Sequence, residues 1–184
     1  MITAQLEKKI KKNFKSGNMQ KAVELCKDGL KENPSNADLH IRLGDLYLEW
    51  HKDITNSCQY IDEAIAEYRT ALETYLDSAE IYFKIGHAYF YKGDFDKAVN
   101  YLTNSVSKDN KQYVAYYLLA QIYARKARFQ EAIDYAVKAK KCNPLGSSSA
   151  RFLMFYLYEL SLYKTGVRKI ISKYELLMSV LTFP

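Results

Sequence analysis

Three side chains that could bind a metal or take part in redox chemistry lie close together in the sequence. They are Trp50, His51 and Cys58, but a structural zinc site needs four Cys or His ligands at short, regular spacings, and this group supplies only two. The other cysteines, Cys26 and Cys142, form no Cys-x-x-Cys pair with Cys58, and three is an odd number for a disulfide framework. We therefore predict a structural role for this group, no metal site, and reduced thiols, as in a cytoplasmic protein.

The sequence contains none of the common catalytic motifs. There is no Gly-x-Gly-x-x-Gly, no phosphate-binding Gly-Lys-Ser/Thr loop, no Gly-x-Ser-x-Gly and no His-Glu-x-x-His. Neighbouring carboxylates such as Asp94 and Asp96 fall where a helix is expected to start, and negative charge is favourable there because of the helix dipole. The sequence therefore predicts a protein that is not an enzyme and that needs no cofactor.

The overall composition is that of a helical globular protein. Of 184 residues, 48% are hydrophobic and 26% charged, and 7 Gly and 3 Pro are too few for the many turns of a sandwich or barrel. No apolar stretch is long enough for a membrane span. The formal charge of +6 favours acidic partners only weakly. Nucleic acid is a disfavoured partner, although five lysines cluster near the start, at Lys8, Lys9, Lys11, Lys12 and Lys15.

Small residues recur along the chain at a fixed interval. Gly44, Gly86 and Ala120 are separated by 42 and 34 residues. A tyrosine follows each of them by three positions, and a second column of small residues keeps the same intervals: Ala22, Ala64, Ala98, Ala132 and Gly166. Agreement among three columns indicates an internal repeat. The spacing divides the chain into five repeats, 3–36, 37–78, 79–112, 113–146 and 147–184, of which the last is divergent.

Each repeat has the pattern of two antiparallel helices. Ile85, Gly86 and Tyr89 mark one face of a first helix, and Ala98 and Leu102 mark the facing side of a second. Small residues on both helices would let the two backbones approach closely. In the second repeat, eight extra residues fall between the helices around Trp50. Eight residues are close to two helical turns, so we expect each helix to lengthen by about one turn.

This arrangement resembles the tetratricopeptide repeat (TPR), whose 34-residue pattern has an aromatic, then Leu-Gly-x-x-Tyr, then Ala, then Pro. The third repeat matches it with Tyr82, Gly86, Tyr89 and Ala98, and Pro144 ends the fourth repeat. The resemblance implies an all-α fold, a right-handed α-solenoid of about five antiparallel helix pairs with a lengthened second pair. It implies a single such domain over residues 1–184.

The resemblance also implies a binding surface, because TPR proteins bind peptides on the concave wall made by their first helices. Carried onto this sequence, the expected groove combines aromatic rings with scattered cations that are free to grip another chain. Its candidate residues are Arg42, Asp45, Phe83, Lys84, His87, Phe90, Tyr91, Tyr117, Gln121, Arg125, Phe152, Phe155 and Tyr158. The two-carboxylate clamp known in the family is not matched, since the corresponding positions carry Glu7, Lys11, Arg42, Glu80 and Lys84.

Two functions remain open from the sequence. The first is a non-catalytic protein-interaction scaffold that binds a peptide or protein segment in the groove. The alternative is an assembly module that forms homo-oligomers, or docks to a further domain, through the apolar C-terminal helices around residues 150–163 and 170–181. The identity of the partner and whether the chain is a fragment stay open.

Overall fold

The computed structural model describes residues 4–53 and 58–143. Over these residues it contains eight α-helices and no strand, in agreement with the predicted all-α class. The chain divides into two compact units, residues 1–109 and 110–184. The first unit holds α1 (Ala4–Lys15), α2 (Met19–Glu32), α3 (Ala37–Asp53), α4 (Cys58–Thr74), α5 (Ala79–Lys92) and α6 (Phe95–Lys108), and the second holds α7 (Tyr113–Arg125) and α8 (Phe129–Cys142).

Several of the described helices begin or end at residues whose side chains or backbone favour it. Ser78 and Asp94 precede α5 and α6, and their side-chain oxygens accept hydrogen bonds from the N–H groups of Ile81 and Lys97 at 3.3 and 3.2 Å. Asp94 therefore caps a helix, the role expected for it from the sequence. Gly93 ends α5 with a φ of +83°, a conformation that favours glycine.

The helices pack in consecutive pairs within each unit. In the first unit α1 packs on α2, α3 on α4 and α5 on α6, and α2 also contacts α3 as α4 contacts α5. In the second unit α7 packs on α8. Both helices of the second pair have 17 residues, three more than α5 and α6, which is close to one turn. The predicted fifth pair, over 147–184, lies outside the described residues, and the single domain over 1–184 stays a prediction.

The repeated small residues lie where the two helices of a pair touch. A Cβ placed on Gly86 would stand 2.8 Å from Cγ and 3.0 Å from the backbone nitrogen of Leu102. On Gly44 it would stand 2.6 Å from Cε1 of Tyr68. In the second unit Ala120 and Ala136, both fully buried, form the corresponding contact. Close backbone approach is therefore the reason for the periodic pattern that the sequence shows.

We expect Gly86→Ala to lower the free energy of unfolding by about 1–2 kcal/mol, because overpacking against the Leu102 backbone outweighs alanine's better helix propensity. The matched control is Gly29→Ala, also inside a helix, where the new Cβ would meet only the flexible ends of Leu6 and Leu39. It should be neutral or stabilising by up to about 1 kcal/mol. Thermal unfolding followed by far-UV circular dichroism measures both. Equal midpoints for the two variants would contradict this account of the small residues.

Candidate binding pocket on the first helices

Five of the predicted groove residues line one pocket in the first unit. Arg42 and Asp45 come from α3, and Phe83, Lys84 and His87 come from α5. Their spacings of three and four residues place each set on one face of its helix. The pocket has a volume of about 350 Å³. The structure thus brings these five side chains together, and their role in binding stays a prediction.

The pocket has a further wall that is not among the groove residues predicted from the sequence. Helix α1 contributes Ile10, Lys11 and Phe14. Ile10 is buried and Phe14 is exposed. Because they lie four residues apart on α1, the two side chains share one face of the helix and form an apolar strip along the pocket. The four-residue spacing predicts such a strip, but α1 carries little of the repeat motif and has Ile10 where the later repeats have a small residue.

The floor of the pocket is a hydrogen-bonded carboxylate. Oδ1 of Asp45 accepts from the Tyr68 hydroxyl at 2.8 Å and from Nζ of Lys84 at 2.7 Å. Tyr68 is nearly fully buried on α4, with its ring against Gly44. Burial raises the pKa of Tyr68 strongly, and the negative charges of Asp45, Glu49 and Glu80 raise it further. The floor is thus a carboxylate that a buried hydroxyl and an ammonium group hold in place.

The cations around the pocket are already paired within the chain. Oε1 of Glu7 accepts from Arg42 at 3.2 Å and lies 2.8 Å from Nζ of Lys11, and these two cations hold the pKa of Glu7 below its ordinary value, Lys11 more than Arg42. Lys84 bonds to Asp45 and also lies 3.7 Å from Glu80. The expectation of cations free to grip another chain is therefore wrong for Arg42 and Lys84. Long side chains on neighbouring helices reach each other across the wall, which the repeat pattern alone does not reveal.

A row of rings continues from the pocket along α5. Phe83 stacks on His87 with ring centroids 5.5 Å apart, His87 contacts Tyr91 at 4.7 Å, and Tyr91 contacts His51 of α3 at 6.2 Å. Tyr91 is exposed, whereas Phe83 and His87 are half-buried. Phe90 differs, because its ring packs 5.9 Å from Phe95 at the start of α6. The expected aromatic wall is thus partly open and partly used in packing.

The remaining predicted groove residues belong to the second unit. Tyr117, Gln121 and Arg125 follow one another at four-residue spacing on α7, and the Tyr117 ring stacks on Tyr113 at 6.2 Å. Phe152, Phe155 and Tyr158 lie outside the described residues. The participation of all six in binding stays a prediction.

Two of the three residues near the helix α3–α4 connection that could bind a metal or take part in redox chemistry have packing contacts. Trp50 stacks on Tyr60 at 4.8 Å, and His51 contacts the edge of Tyr91. Cys58 is exposed at the start of α4. Within 4–53 and 58–143 no group of three or more His, Cys, Asp or Glu side chains could hold a metal ion.

Comparison with known proteins agrees with the helix-pair architecture. A sequence model of the tetratricopeptide repeat matches residues 83–147, and the crystal structure of MamA superposes with a TM-score of 0.73 at 24% identity, covering 89% of this chain and 88% of that one. Residues 83–147 of the chain therefore carry tetratricopeptide repeat sequence. The crystal structure of YrrB, described as a TPR protein with an unusual peptide-binding site, shares the fold with a TM-score of 0.66 at 15% identity, covering 89% of this chain and 80% of that one.

A curated sequence relative of this chain is lipopolysaccharide assembly protein B of Escherichia coli (strain K12). The two are 30% identical over 156 residues, which cover 82% of this chain. The chain spans 37% of the length of the curated relatives it matches. Among the helices of the described ranges, none is long and apolar enough to cross a membrane.

Removing the Tyr68 hydroxyl tests the floor of the pocket. Tyr68→Phe should lower the free energy of unfolding by about 1–2 kcal/mol, because Asp45 loses a buried hydrogen-bond donor. Tyr75→Phe is the matched control, since its hydroxyl also donates to an α3 aspartate, Asp38, at 3.1 Å, but Tyr75 is 44% exposed and Tyr68 only 1%. The control should change stability by less than about 0.5 kcal/mol. Denaturant unfolding measures both, and similar losses in the two variants would contradict the buried bond.

The same pair of variants gives a pH dependence. Because the pKa of Tyr68 is raised in the folded protein, its contribution to stability is complete below the ordinary tyrosine pKa of about 10 and declines as the pH rises above it. The wild type should therefore lose stability above that pH more steeply than Tyr68→Phe.

Proposed function

We propose that this protein is an interaction scaffold that binds a peptide or protein segment in the pocket formed by α1, α3 and α5. The observation that carries the proposal is the pocket itself. It joins an apolar strip from Ile10 and Phe14 to the rings of Phe83 and His87, above a charged floor. Exposed rings beside satisfied polar groups are the features by which proteins recognise extended or helical segments.

Two similarities support the proposal. TPR folds serve as protein-interaction scaffolds, and one of the similar structures, YrrB, is described by its peptide-binding site. The curated relatives are named for an assembly process. From that name we carry over to this chain only a role in an assembly process.

We further propose that the chain acts by binding and not by catalysis. His40 has a structural environment, with Nδ1 2.5 Å from a carboxylate oxygen of Glu67 and Nε2 2.9 Å from the carbonyl oxygen of Pro34. His51 and His87 both lie in the row of rings beside the pocket. Such contacts position groups for packing and recognition.

The cytoplasm is the compartment we propose. Cys26, Cys58 and Cys142 are all free thiols. Burial raises the pKa of Cys26 to about 12, so this thiol stays protonated and unreactive. Free cysteines of this kind fit a reducing compartment.

Phe83→Ala tests the proposed binding site. Loss of this ring should reduce binding of captured partners by roughly tenfold or more, the usual cost of removing an aromatic hot-spot residue. The experiment is affinity capture from lysate of the native organism, followed by mass spectrometry and titration of each captured partner. Tyr75→Ala is the matched control, because it removes an exposed ring outside the pocket. If both variants retain every partner with unchanged affinity and intact helical content, the pocket is not the binding site.

The alternative function, assembly through the C-terminal helices, depends on residues 147–184. These lie outside the described residues, so the alternative stays a prediction from the sequence.

A further inference from the structure

The carboxylates of the pocket have unused hydrogen-bonding capacity. Both donors to Asp45, the Tyr68 hydroxyl and the Lys84 ammonium, bond to Oδ1. Both cations beside Glu7, Lys11 and Arg42, likewise lie at Oε1. An ionised carboxylate has about four acceptor sites on its two oxygens, so two bonds to Oδ1 leave acceptor capacity on Asp45. Asp45 lines the pocket, so this capacity belongs to the pocket wall.

Three cations, Lys11, Arg42 and Lys84, and two carboxylates, Asp45 and Glu49, line the pocket. Glu7 and Glu80 pair with these cations from its edge, so the carboxylates number four against three once the ion-pair partners are counted. The deepest cation is the most shielded, with 19% of the Lys84 side chain exposed, whereas its neighbour Glu80 is 69% exposed. A cationic guest would therefore be attracted to this pocket.

An acidic guest would face direct competition. To reach Arg42 it would displace Glu7, and to reach Lys84 it would displace Asp45 and Glu80. Each exchange replaces an existing ion pair with a new one and brings another negative charge close to four carboxylates. Like charges placed together in a partly buried site are destabilising.

The structure already contains one cation held in the way a guest cation would be. Nζ of Lys84 lies 2.7 Å from Oδ1 of Asp45 and 5.9 Å from the centroid of the Tyr68 ring. A carboxylate beside an aromatic face binds an ammonium or guanidinium by ion pairing together with the cation–π interaction. Phe14, Phe83 and His87 supply further rings in the same pocket.

We propose that this pocket recognises an arginine side chain of the bound segment, with the guanidinium donating to Oδ2 of Asp45 and stacking on a ring of the pocket. This inference rests on the proposed function and adds its specificity. Arginine suits the site better than lysine, because its planar guanidinium is more weakly hydrated and stacks on aromatic rings. Apolar side chains next to the arginine would contact Ile10 and Phe14.

The test begins with a random peptide library displayed on phage and selected on the wild-type chain. Peptides whose binding is lost in Phe83→Ala are synthesised in two forms, one with arginine and one with citrulline, which has the same shape without the charge. We expect the arginine form to bind about tenfold or more tightly, as is typical of a charge-assisted hydrogen bond. Isothermal titration calorimetry measures both affinities.

Two protein variants locate the effect. Asp45→Asn keeps an acceptor for Tyr68 but removes the charge, and it should abolish the preference for arginine over citrulline. Asp62→Asn is the matched control, since this α4 carboxylate also pairs with a lysine, Lys92 at 2.5 Å, but does not line the pocket. It should leave the preference unchanged. Should Asp45→Asn fail to fold, the comparison of arginine with citrulline on the wild type still decides the question.

The outcomes separate this inference from the proposed function. Peptides that need Phe83 but are acidic or uncharged, or that bind equally well with citrulline, would overturn the arginine site and leave the binding pocket standing. A preference for arginine that survives in Asp45→Asn would also overturn it. If no selected peptide depends on Phe83, the proposed binding function itself fails.

Discussion

The close approach of the two helices in each pair is the constraint on which the rest of the structure depends. Because residue 44 has no side chain, the Tyr68 ring lies directly against α3, where a Cβ would stand 2.6 Å from it. This contact places the Tyr68 hydroxyl 2.8 Å from Asp45, the next residue along α3. A packing requirement inside one helix pair thereby positions the carboxylate that forms the floor of the pocket, which links the repeat pattern to the candidate site.

The pocket combines two kinds of interaction that stabilise different things. Apolar contacts from α1, α3 and α5 enclose it, while the pairs Glu7–Arg42 and Asp45–Lys84 join α1 to α3 and α3 to α5. These ion pairs are partly exposed, so each adds little to stability. They fix the positions of charged groups around the pocket. The affinity of the pocket for a charged guest therefore depends on which internal ion pair that guest must displace.

The sequence predicts the helix pairs well because small residues at fixed spacing leave few alternatives. Gly44, Gly86 and Ala120 lie at helix contacts as their period requires, and Arg42, Asp45 and Lys84 reach a common pocket for the same reason. The ion pairs were not predictable, because they join flexible side chains more than thirty residues apart, as in Glu7 and Arg42. The contribution of α1 was missed because its first turns lack the motif that sets the register in later repeats.

The central claim is that the pocket of α1, α3 and α5 contacts another chain. The most direct measurement replaces Phe83 by the photoreactive residue p-benzoylphenylalanine and compares crosslinking in cells with the same replacement at Tyr75, an exposed position outside the pocket. The account predicts discrete crosslinked products from position 83 and few from position 75. Equal yields at the two positions, or products from position 75 alone, would contradict it.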